Sequence, residues 1–77
     1  MEEKITIELT KDEALILFER LSRLEETNSL PVEDHAEEKV FWEIQAQLER
    51  VLVEPFDSKY LKLIAEAKAR VAKEEHQ

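Results

Sequence analysis

His35 has more chemistry within reach of its neighbours than any other residue in this 77-residue sequence. It stands in Glu33-Asp34-His35-Ala36-Glu37-Glu38, and on a helix His35 and Glu38 lie one turn apart, near enough to share a hard or borderline cation. Two ligands make an incomplete site, because zinc sites supply three or four protein donors. His35 is therefore read as an exposed side chain in the first turn of an acidic helix, and no metal is assigned.

Nucleophilic catalysis finds even less to work with. The serines are Ser22, Ser29 and Ser58, there is no Cys, and His35 is the only His ahead of the chain end. No spacing places a serine beside an orienting base. With no Gly in the chain there is no phosphate-cradling loop. The expectation is a protein with no catalytic residue, no metal and no cofactor.

The sharper feature is a run of acid. Glu25, Glu26, Glu33, Asp34, Glu37 and Glu38 fall within fourteen residues that hold no Lys or Arg. Such a patch could steer a basic protein or imitate a phosphate backbone, although no aromatic side chain is interleaved to anchor a partner. Net charge is −8, and residues 1–40 hold five basic against twelve acidic residues. That balance disfavours nucleic acid and anionic membranes and leaves a basic protein as a candidate partner. Solubilising charge on a small domain is the plainer account of the same residues.

The elements that position these groups follow from periodicity and caps. Lys4 to Thr10 alternates, with Ile5, Ile7 and Leu9 on one side and Lys4, Thr6 and Glu8 on the other, the period of a half-buried strand over about 4–9. No later segment offers it a ladder. It pairs with its own copy, with an edge of another protein, or not at all, as a hydrated arm; symmetric dimers favour the first. Thr10-Lys11-Asp12-Glu13 is a capping box that opens a helix over about 11–26. Its apolar face is Ala14, Leu17, Phe18, Leu21 and Leu24 with Leu15 on the flank, while Ile16 falls among charged residues where it could touch a partner.

Asn28 and Pro31 interrupt the pattern. Asp34 and Glu37, three apart, open a second helix over about 34–53. Its stripe of Val40, Phe41, Ile44, Leu48, Val51 and Leu52 is the expected centre of the core, and Trp42 with Ala46 and Val53 makes a second apolar side. Glu54-Pro55 ends it, and Phe56 and Leu61 flank Asp57 as a staple around the cap of a third helix, about 58–74. So short a link implies an antiparallel hairpin of the second and third helices. Tyr60, Leu61, Ile64, Ala67 and Val71 form the third helix's packing face.

Several of these positions also resemble a known pattern. Leu9-Thr10, Asp12-Glu13-Ala14-Leu15, Leu17, Glu19, Leu21-Ser22-Arg23, Ala36-Glu37, Trp42 and the run from Leu52 through Glu54 to Phe56 resemble a family of short bacterial proteins with no assigned activity. The resemblance implies a bacterial cytoplasmic protein and lends no cofactor or catalytic residue.

Taken together, the sequence predicts a single, mainly α domain: one short N-terminal β-strand followed by a three-helix bundle, the strand pairing across a homodimer. A chain this small buries only roughly 60% of its unfolded surface, and without Cys oligomerisation is the common reinforcement left to it. No stretch approaches the ~18 apolar residues of a membrane span, and the opening Met-Glu-Glu-Lys has no secretory pattern, which points to the cytoplasm. Ile5, Ile7, Leu9, Ile16 and Trp42 are the candidate self-association residues. The expected role is non-catalytic association, and the alternative is an acidic immunity-protein or antitoxin type of inhibitor that masks a basic partner.

Overall fold

The computed structural model describes residues 3–27 and 33–74. The expectations placed on Asn28, Ser29, Leu30, Pro31 and Val32 lie outside those residues. The described chain is mainly helical, with α1 over Lys11–Glu26, α2 over His35–Val51 and α3 over Tyr60–Lys73. A single 3-10 turn, Glu54–Phe56, stands between α2 and α3.

The caps form as the residue types require. The Glu13 amide donates to Thr10 Oγ1 at 3.1 Å while the Thr10 amide donates to Glu13 Oε1 at 2.8 Å, a complete capping box. At α2 the Glu37 amide donates to Asp34 Oδ1 at 3.0 Å. The Glu37 carboxylate reaches one residue further back than a capping box would, accepting from the Glu33 amide at 2.6 Å. In both helices the acidic first turn complements the helix dipole.

The second linker is longer than expected at each end. Leu52 is already extended, with φ −99 and ψ 132, and Pro55 is the second residue of the 3-10 turn, where its missing N–H costs nothing. Asp57 Oδ1 then accepts from the Lys59 amide at 2.7 Å, and α3 begins at Tyr60. Phe56 and Leu61, expected to staple this turn, are 79% and 76% exposed.

α1, not α2, is the central helix. Both α2 and α3 pack on α1 and have little to do with each other, so the expected α2–α3 hairpin is replaced by two helices flanking a third. Gln45 Nε2 meets Ser22 Oγ while Glu54 meets Lys11, so α2 runs against α1. Asp12 in the first turn of α1 meets Arg70 near the end of α3, which likewise runs against it. Flanked on two sides, α1 buries the wide sector of Ala14, Leu15, Phe18 and Leu21, and Leu15 is core rather than flank. Leu48, Leu52 and Ile64 complete the central cluster, with Tyr60 packed against it. Ala67 is wholly buried.

The apolar stripe of α2 is consequently split. Leu48 and Leu52 are buried and Phe41 is half-buried, but Val40, Ile44 and Val51 remain exposed. The Cα radius of gyration is 13.9 Å, against roughly 11 Å for a compact domain of this size. Two helices on one leave apolar surface that a closed bundle would cover.

Residues 3–10 have no regular secondary structure, and there is no strand among the described residues. The strand expected over about 4–9 thus does not form, and has no ladder, among the described residues. Its Ile5 and Ile7 are 88% and 78% exposed.

Candidate association surface

The N-terminal segment does not hang free of the helices. Ile5, Ile7 and Leu9, with Leu17 of α1 and Ile44 and Leu48 of α2, line a groove of about 400 Å³. Thr6 and Gln47 are its polar members. Three of the five residues singled out for self-association therefore meet in one place, and they meet the exposed edge of α2. Leu48, the floor residue, is 9% exposed, whereas Ile44 above it is 36% exposed, so the groove opens from the core cluster to solvent.

Ile16 and Trp42 are placed apart from that groove. Ile16 is half-buried on α1 and does not line it. Trp42, 41% exposed, falls on the opposite side of α2 from Val40, Ile44 and Val51, as a turn of about 100° per residue dictates. There it lines a shallow depression of about 210 Å³ with Glu25, Gln45, Ala46 and Glu49. The His35 imidazole and the indole form a T-shaped pair, with centroids 6.2 Å apart and planes at 81°.

The six acidic residues differ in their local partners. Asp34 and Glu37 are occupied with the α2 cap, and the Glu33 amide is tied to Glu37. Glu38 Oε1 lies 3.5 Å from His35 Nδ1, the one-turn pairing legible in the sequence. Glu25 and Glu26, in the last turn of α1, are exposed and make no ion pair among the described residues. Sequence reasoning saw no aromatic beside this acid. Trp42 and Glu49 stand seven apart on one helix face and were readable as neighbours; Glu25 joins them only because α1 packs on α2.

Ion pairs hold the opposite end together. Arg70 Nε and Nη2 bond Asp12 Oδ2 and Oδ1 at 2.7 and 2.9 Å, and Lys11 Nζ bonds Glu54 Oε2 at 2.9 Å. The hydrogen bond from Arg70 holds the Asp12 carboxyl below its ordinary value, and that from Lys11 does the same for Glu54. Burial pushes the Tyr60 phenol well above its ordinary value, and the nearby Glu19 carboxylate adds to this. The Tyr60 hydroxyl nonetheless stays outside hydrogen-bond geometry, buried without a partner among the described residues.

Among the serines, Ser22 Oγ accepts from Gln45 Nε2 at 3.2 Å, a helix-to-helix tie, and Ser58 is exposed in the turn before α3. Among the described residues no three His, Cys, Asp or Glu side chains are grouped to hold a metal ion, and no helix is long and apolar enough to cross a membrane. Comparison of the chain with family models, curated proteins and solved structures returned no match.

Proposed function

We propose that this chain is a non-catalytic association module that works as a homodimer, the N-terminal segment and the exposed edge of α2 of one copy covering those of the other. The observation that carries this is the groove shared by Ile5, Ile7, Leu9, Leu17 and Ile44. These side chains belong to a chain too small to leave so much apolar surface in water without cost. The alternating segment over about 4–9 completes a strand when its copy lies alongside and supplies the missing ladder. A twofold arrangement closes the assembly and leaves no further edge for fibres.

Sedimentation equilibrium over a wide concentration range tests this, on the full chain, on a version lacking residues 1–9, and on the double variant Ile5→Asp, Ile7→Asp. The full chain is expected to be a dimer and both variants monomeric. A folded monomer at every concentration, or a dimer that survives both changes, overturns the proposal.

The inhibitor alternative draws its best support from the acid beside Trp42. Charge reversal at Asp34 or Glu37 is a poor test of it, because those side chains also build the α2 cap and their loss costs about 0.5–2 kcal/mol of stability.

A further inference from the structure

The depression beside Trp42 lies across α2 from the groove of Ile5 and Ile44 and has a different lining. One wall is the indole of Trp42, and Ala46, four residues on, carries only a methyl and leaves the ring uncovered on that side. Gln45 is fixed by its hydrogen bond to Ser22 Oγ, and the His35 ring stands nearly perpendicular to the indole. Two carboxylates close the space, Glu25 from α1 and Glu49 from α2.

No Lys or Arg lines the depression among the described residues. Of the basic residues close by in the chain, Arg23 meets Glu19 at 3.3 Å and Arg50 meets Glu43 at 3.8 Å, while Lys39, one turn before Trp42, is exposed and does not line the depression. Glu25 stands in the last turn of α1, where the negative end of the helix dipole disfavours it. Two like charges from different helices thus line one depression with an aromatic ring, and none of the lining residues is basic. A π-face that attracts cations and carboxylates that pair with them make one chemical specification.

We propose that this depression binds a single guanidinium group, that of an arginine on a basic peptide segment, stacked on the Trp42 indole and bonded to Glu25 and Glu49. A planar guanidinium stacks and bonds at its edge at the same time, which a tetrahedral ammonium cannot do. The volume of about 210 Å³ suits the end of one side chain and not a folded surface. The site shares no residue with the groove on which the proposed dimer rests.

Trp42 is the only tryptophan, so its fluorescence reports on this place alone. Titration of the full chain with N-acetyl-arginine amide is expected to give a saturable change with a dissociation constant on the order of millimolar. N-acetyl-lysine amide should give a weaker one, and sodium chloride at matched ionic strength none. A short peptide carrying one arginine among lysines should bind more tightly than the free amide. Glu25→Gln or Glu49→Gln should weaken the arginine response by about threefold or more and the double variant should abolish it, while Glu8→Gln leaves it unchanged. A change that is linear in the probe, that sodium chloride reproduces, or that survives Glu25→Gln with Glu49→Gln overturns the proposal. A lysine probe that equals arginine overturns the guanidinium assignment, and a free amide that equals the peptide overturns the peptide source. Circular dichroism of each variant shows that the helices are intact.

Discussion

Arg70 and Asp12 are 58 residues apart in the chain and joined by two parallel hydrogen bonds of 2.7 and 2.9 Å. The pair ties the last helix to the first turn of the first, and Lys11 beside it does the same for the 3-10 turn through Glu54. These exposed contacts orient helices whose buried interfaces are small.

Because both pairs are solvent-exposed, Arg70→Ala or Asp12→Asn should lower the thermal midpoint modestly. The two changes should be less than additive in a double-mutant cycle. About 1 M NaCl, where the Debye length is about 3 Å, should shrink the difference from the unaltered chain. Full additivity would show that the pair contributes no coupling.

Acid should loosen the same end. Asp12 and Glu54 are held below their ordinary values of 3.8 and 4.5 in the folded chain, so the unfolded chain takes up protons first as pH falls. Their contribution is complete above those ordinary values and is lost as pH drops through the lower folded ones. Thermal midpoints of the chain and of Asp12→Asn with Glu54→Gln should differ near neutrality and converge in acid.

Alkali acts through Tyr60. Its phenol is raised from the ordinary value of 10.0, so the unfolded state ionises first and stability declines as pH rises past that value. Phenolate absorbance of this single tyrosine should appear together with loss of helix rather than before it. Tyr60→Phe removes the unpartnered hydroxyl and should leave stability unchanged or raise it by up to about 1 kcal/mol, while flattening the alkaline slope.

Phe18→Ala empties the centre of α1 and should cost about 3–5 kcal/mol, much of the roughly 4–12 kcal/mol available to a chain of this length. Leu61→Ser, at a position 76% exposed, should change stability by no more than about 0.5 kcal/mol. Urea unfolding of the two variants side by side separates a core centred on α1 from one shared with the expected face of α3.

Ala67→Leu should cost about 1–3 kcal/mol in the same measurement, because the wholly buried Ala67 has no room for a branched side chain.

Local chemistry was legible in the sequence wherever a residue and its partner lie within a turn of each other. Thr10 with Glu13, Asp34 with the Glu37 amide and His35 with Glu38 are such pairs, and through them the starts of α1 and α2 were readable to within a residue. The end of α3 was readable too, within a residue of Lys73. The start of α3 was not, because an Asp57 side chain that caps a helix and one that folds a turn back on Lys59 have the same sequence signature.

What only the tertiary structure decided is which apolar stripe is covered. Periodicity shows that α2 has a continuous stripe, but burial depends on how many neighbours approach a helix and from which sides. α1 is flanked twice and so buries Leu15 as well as Phe18, while α2 is flanked once and leaves Val40, Ile44 and Val51 in water. The meetings of Asp12 with Arg70 and of Trp42 with Glu25 belong to the same class. Each joins residues on different helices, and no spacing along one helix encodes where another will lie.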